Sequence, residues 1–167
     1  MLTLAGCGAL ERNLVKTMRV LLAIDESPYA ADAVAAVARQ DWSPGTTMRV
    51  LTVVEERIEP GTELWYSMGG HVERIRREMI RRAYLLVTCA RQRLCACGHT
   101  VEAVVRGGDP RAVIINEAKA WPADLIIIGV RDFTAIERWL LGRVARRVIS
   151  DAPCPVQIVR QNAARQR

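Results

Sequence analysis

The sequence predicts an α/β fold: one open, doubly wound sheet of parallel strands with helices on both faces. Three observations lead there. Short apolar runs alternate with amphipathic stretches in the order β-α-β-α-β-α-β-α-β across 167 residues. The strongest run, Leu125-Ile126-Ile127-Ile128, is apolar on both faces, as a central parallel strand must be. No internal repeat or linker divides the chain, whose length suits a single core. Alternating strands and helices require parallel pairing through right-handed crossovers. In such sheets the ligand crevice opens past the carboxyl ends of the strands, where strand order reverses. The loops after Asp25, Val54 and Gly129 therefore frame the candidate site.

Each element has its own signal. Residues 18–25 form an apolar run ending in an acid, followed by Ser27-Pro28, which reads as a buried strand and then a helix with Ser27 as N-cap and Pro28 at its first position. Ala31, Val34, Val37 and Ala38 recur at helical spacing to about Arg39. Pro44-Gly45 marks a turn, and residues 48–54 make a second strand ending at Glu55 and Glu56. After a loop containing Pro60, Gly61, Gly69 and Gly70, one apolar stripe (Val72, Ile75, Met79, Ile80, Ala83, Leu86, Val87, Ala90, Leu94) predicts a helix of about six turns, with Arg74, Arg77, Arg81, Arg82, Arg91 and Arg93 mainly off the stripe. Residues 99–105 alternate as a third strand. Gly107-Gly108-Asp109-Pro110 turns into a helix capped by Asp109 and led by Pro110. Residues 124–129 are the fourth strand. A loop from Val130 to about Ile136 precedes a helix holding Leu140, Leu141, Val144, Val148 and Ile149; Pro153 stops it, and residues 155–160 form the last strand.

Composition narrows the classes. Half of the residues are apolar and a quarter charged, with 24 Lys and Arg against 18 Asp and Glu and a net charge of +6. This density of apolar residues excludes low-complexity disorder, and no apolar stretch approaches the ~18 residues of a membrane span. The positive charge concentrates anions without choosing among them. The arginines of the long helix read as a solvated face, with RNA or anionic lipid as the rival reading. Five cysteines (Cys7, Cys89, Cys95, Cys97, Cys154) are an odd, scattered set. Cys95 and Cys97 are spaced wrongly for a Cys-x-x-Cys pair, and with His99 they lack the second ligand pair of a zinc site, His71 being the only other histidine. Reduced thiols in a cytoplasmic protein are the expectation. Leu4-Ala5-Gly6-Cys7 resembles a lipobox, but no apolar segment of ~7–15 residues precedes it. Residues 1–17 are read as a flexible extension, 18–160 as the domain and 161–167 as a basic tail.

The loop after the fourth strand carries the chemistry: Gly129-Val130-Arg131-Asp132, nine residues, then Gly142-Arg143-Val144. A glycine at a strand end allows close ligand approach, and a second at a helix start lets amide N–H groups face a phosphate. The competing reading is that both glycines only make tight turns. No catalytic constellation emerges: neither histidine falls on the ligand side, and no serine or cysteine has a recognisable base. Asp25 suits either a ligand hydroxyl or the start of its own helix. Trp42, Trp65, Trp121 and Trp139 are dispersed, as packing residues are.

From Met18 to Arg160 the chain resembles the universal stress proteins. The resemblance is carried by Ala23-Ile24-Asp25-Glu26-Ser27, Gly108-Asp109-Pro110, Ala123-Asp124-Leu125-Ile126-Ile127-Ile128-Gly129, Leu140-Leu141-Gly142-Arg143-Val144-Ala145 and Ala152-Pro153-Cys154-Pro155-Val156. It implies five strands in the order 3-2-1-4-5 and a homodimer paired through the last strands, around Val156 and Val159. Many members bind ATP; others do not. The binding members carry Gly-x-x-Gly, nine residues, then Gly-Ser/Thr. Gly129 and Gly142 match; Asp132 replaces the second glycine and Arg143 the Ser/Thr. Asp25 matches the acid that contacts the nucleotide, and Val53 falls where the second strand meets adenine. Ala23, Ile24 and Val144 complete the implied site, with ATP and magnesium as its cofactors.

The two departures pull in opposite directions. A carboxylate at Asp132 repels phosphate, by up to several kcal/mol for a unit pair ~4 Å apart at an effective dielectric near 20. Arg143 offers either a fork to a phosphate or a partner that lets Asp132 plug the pocket. The expectation is a non-enzymatic binding and signalling module that holds an adenine nucleotide between the loops after strands one and four. Its rivals are a nucleotide-independent interaction protein with a degenerate site and a weak ATPase. Neither nucleic acid nor membrane is an expected partner.

Overall fold

The computed structural model describes residues 17–27, 29–55, 70–130 and 142–160. Strands β1 (Arg19–Ala23), β2 (Thr47–Val54), β3 (Thr100–Gly107), β4 (Leu125–Val130) and β5 (Val156–Arg160) alternate with helices α1 (Tyr29–Arg39), α2 (Gly70–Ala96), α3 (Pro110–Ala120) and α4 (Arg143–Asp151). The sheet is parallel with the order β3-β2-β1-β4-β5, the expected topology. Chain order reverses between β1 and β4, so the crevice rule applies at their carboxyl ends.

Burial agrees with the sheet order, in which β1 is central and β2 and β4 flank it. Val20, Leu21, Leu22, Ile126 and Ile127 are fully buried, because successive side chains point to opposite faces and each face has its own helices. On one face Val20, Leu22, Val50 and Ile127 pack under Ala33, Val34 and Val37 of α1 and Val87, Ala90 and Leu94 of α2. On the other, Leu21, Leu51, Ile126 and Ile128 meet Ile114, Ile115 and Ala118 of α3 and Ala145 and Val148 of α4. Asp124 starts β4 by accepting the Arg19 backbone N–H at 3.0 Å. Trp42 and Trp121 pack against the two cores, as expected of packing residues; Trp65 and Trp139 lie outside the described residues.

The apolar stripe of the long helix overreaches. Ala83, Val87, Ala90 and Leu94 are buried, but Ile75 and Met79, placed on the same stripe, are 49% and 39% exposed. The reason is length: 27 residues make a helix of about 40 Å, whereas an eight-residue strand covers only about 26 Å. The amino-terminal turns of α2 therefore run beyond the sheet. Among their arginines, Arg77 pairs with Glu73, and Arg81 and Arg82 share Glu78 at 2.9 and 3.0 Å. Those two guanidiniums hold the Glu78 carboxyl well below the usual carboxylate range. The helix face is thus partly self-neutralised.

Smaller boundaries also shift. The third strand starts at Thr100 rather than His99 and continues through Gly107, because β2 pairs with it along eight residues. The last helix stops at Asp151, with Ala152 already extended. Ser27 turns out to serve Asp25: its backbone N–H and hydroxyl both donate to Asp25 Oδ1. Pro28, Leu140 and Leu141 lie outside the described residues, as do the 1–16 and 161–167 segments and most of the loop after β2. No described helix is long and apolar enough to cross a membrane.

Candidate functional site

A cleft of about 690 Å³ opens at the carboxyl ends of the strands. It brings together Ala23, Ile24 and Asp25 after β1, Val53 on β2, Gly129 on β4, and Gly142, Arg143 and Val144 at the start of α4. Asp132 lies outside the described residues, so the effect of its charge is not part of this geometry. Segments more than a hundred residues apart meet because β1 pairs with both β2 and β4.

The two glycines have different reasons to be glycine. A Cβ on Gly129 would lie 3.2 Å from Ala33 Cβ and 3.2 Å from the Tyr29 carbonyl oxygen. The missing side chain lets α1 pack closely on β4, and a side chain here would have to push α1 back by a few tenths of an ångström. Gly142 is the opposite case. Its φ of −52° and ψ of 150° are open to any residue, and a Cβ there would meet nothing within 4 Å. Neither its backbone angles nor any described neighbour requires glycine, and the missing side chain allows a close-approaching ligand there.

Electrostatics divides the cleft into two ends. At α4 no described side chain caps the helix, and no acid occupies its first turn. The first-turn amides and the positive end of the helix dipole thus meet no described acid or cap, and the exposed Arg143 adds charge. At α3 the same features are neutralised. Gly108, at φ 128°, makes the left-handed turn that delivers Asp109, whose Oδ1 accepts the Arg111 N–H at 2.9 Å. The Arg111 side chain then grips the same carboxylate, Nε at 2.9 and 3.0 Å and Nη2 at 2.7 Å. This pair holds the Asp109 carboxyl below its ordinary range and the guanidinium above its own. Beneath it the wall is apolar: Leu51, Val53 and Ile114.

Tyr29, Glu55, Asp109, Pro110 and Arg111 also line the cleft, and sequence reasoning missed them as site residues. In the sequence Asp109 and Pro110 read as a helix start and as part of the family motif, not as ligand contacts; that the loop after β3 reaches the crevice depends on how α3 crosses the sheet. Asp109 and Arg111 also border a second groove of about 490 Å³ between α3 and α4, with Lys119, Arg147 and Asp151. Asp25 is exposed, and among the described residues both of its bonds fall on Oδ1. The described residues contain no group of three or more side chains able to hold a metal.

Known proteins match along nearly the whole of this fold. The model of the universal stress protein family matches residues 16–160. The universal stress protein YxiE of Bacillus subtilis is 27% identical over 145 residues, covering 85% of this chain and 98% of its own. The solved structure of UspA from Lactobacillus plantarum superposes with a TM-score of 0.68 at 21% identity, over 86% of this chain and 97% of that one. A universal stress protein family member from Arabidopsis thaliana, solved with AMP bound, does so with a TM-score of 0.64 at 18% identity, over 90% and 95%.

Proposed function

The chain belongs to the universal stress protein family, and on that premise we propose that its cleft holds an adenine nucleotide as a binding and signalling module that performs no chemistry on it. The observation that carries this reading is the end of α4: no described neighbour requires Gly142 to be glycine, no described side chain caps the amides after it, and the cleft there has an apolar wall. These residues fit the ligand. Backbone N–H groups at a helix start take phosphate oxygens. Val53, Leu51 and Ile114 suit a purine face. Asp25, with its second oxygen turned to no described donor, suits ribose hydroxyls. The Arabidopsis relative, solved with AMP, supports the same ligand class. Magnesium enters as the counterion of the phosphates, and Arg143 supplies charge where a hydroxyl donor is missing.

Protein denatured directly from purification should release AMP or ATP into the mass spectrometer, and Mg-ATP added to stripped protein should give a saturable calorimetric signal. Asp25→Asn, which keeps the turn but drops the charge, should weaken binding about tenfold, as expected for the loss of a charge-assisted hydrogen bond. No released nucleotide and no heat would favour a nucleotide-independent interaction protein. Steady phosphate release abolished by Asp25→Asn would favour an ATPase.

The same reading includes a homodimer in the cytoplasm. Strand β5 pairs with β4 on one side and ends the sheet order on the other, and an apolar edge strand invites a second copy. Sedimentation at tens of micromolar should give twice the 18.6 kDa chain mass; a monomer there overturns the dimer and leaves the cleft untouched.

A further inference from the structure

We propose that Arg111 is the base-side wall of the cleft: the nucleobase stacks on its guanidinium plane, which Asp109 holds flat. The inference rests on the nucleotide reading above and deepens it by assigning an end of the cleft to each end of the ligand. Three observations carry it. First, the guanidinium is pinned through Nε and Nη2 to both oxygens of one carboxylate, at 2.7 to 3.0 Å. A two-pronged grip of this kind fixes a planar group in orientation as well as position. Second, the grip cancels the charge locally. The Arg111 end of the cleft, with a capped helix and an ion pair, has little to offer a phosphate, whereas α4 has no first-turn acid and, among the described residues, no side-chain cap. A ligand with one anionic and one aromatic end is thereby polarised, phosphates to α4 and base to α3. Third, apolar surface is present at this end: Leu51, Val53 and Ile114, the last on α3 with Arg111, line the cleft, although Ile128, Val144 and Ala145 make the α4 side apolar as well. Two other described lining residues offer a planar π surface: Tyr29, at the start of α1 next to Gly129, and Arg143, at the α4 end assigned to the phosphates. An arginine plane accepts a base face as an aromatic ring does.

The test compares adenosine, AMP and ATP by calorimetry on the parent, Arg111→Ala and Arg111→Lys. Arg111 is half exposed, so both variants should keep the parent's melting profile within a degree or two. A base contact predicts that alanine weakens all three ligands by the same factor, about tenfold, and that lysine, which keeps the charge but loses the plane, does not rescue. Asp109→Asn, which preserves a good helix cap while releasing the grip, should produce a smaller loss of the same kind. A loss that grows from adenosine to ATP and is rescued by lysine would make Arg111 a phosphate contact and overturn the proposal. So would unchanged affinity for all three. A parent that binds none of the three overturns the nucleotide reading itself, a result distinct from either of these.

Discussion

Replacing Glu117 by alanine should lower the melting temperature by about 10 °C. Glu117 is only 8% exposed and joins three elements. It accepts Arg49 Nη1 from β2 at 2.8 Å and Arg106 Nε and Nη2 from β3 at 3.1 and 3.4 Å, while itself sitting on α3. Arg49 lies opposite Glu102 in the β2–β3 register, bonds it through Nε and Nη2 at 2.9 and 2.6 Å, and stacks 4.4 Å from the centre of the Trp121 ring. Its side chain is 17% exposed. Deleting one member of such a buried pair leaves a desolvated charge behind, a cost of 3–5 kcal/mol in general. Glu102 remains as a partner for Arg49, which points to the low end, about 3 kcal/mol. At about 2–4 °C per kcal/mol for a chain of this size, the shift follows.

Glu102→Ala supplies the contrast. That carboxylate is 58% exposed, and solvent screens its pairing, so about 0.5 kcal/mol is at stake. Thermal melts of the two variants decide the matter. Equal shifts would mean that the buried position of Glu117 contributes nothing beyond an ordinary surface pair.

This network marks the boundary of what the sequence discloses. The alternation of strands and helices, the Asp109-Pro110 helix start and the double-sided burial of Leu125-Ile126-Ile127-Ile128 are local patterns, and each has its expected place in the structure. Arg49 between Met48 and Val50 reads as the outward residue of a half-buried strand, and Glu117 as one more polar position on a helix. Their pairing depends on the register between β2 and β3 and on where α3 crosses them, which no window of sequence contains. The same holds for Arg111: its helix was visible, its arrival at the cleft was not. The overrun of α2 fails for a different reason. Apolar periodicity records which residues share a face and says nothing about how far the sheet beneath extends.

Gly142 and Gly129 should separate when each is given a side chain, and that separation is the sharpest check on the cleft. Gly142→Asp introduces a carboxylate at the N-cap of α4. Aspartate is a preferred cap and favours the positive helix end, so stability should rise by a few tenths of a kcal/mol, with nothing within 4 Å for the new Cβ to strike. The same carboxylate occupies the space assigned to phosphate, and its charge opposes the ligand. A pair of like charges ~4 Å apart costs up to several kcal/mol at an effective dielectric near 20; discounted for solvent at this exposed end, a loss of about a hundredfold in ATP affinity remains. Gly129→Val should do the reverse in its first readout. Its Cβ is set 3.2 Å from Ala33 Cβ and from the Tyr29 carbonyl oxygen. One of these contacts is backbone that cannot swing aside, so α1 must move off β4 at a cost of about 1–3 kcal/mol. Nucleotide binding should then fall only as far as the cleft is distorted. Melting curves and ATP titrations of both variants give four numbers whose signs are fixed in advance. A Gly142→Asp protein that melts no lower and still binds ATP as the parent does would move the phosphates away from α4 and dissolve the polarity on which the roles of Asp25, Val53 and Arg111 all depend.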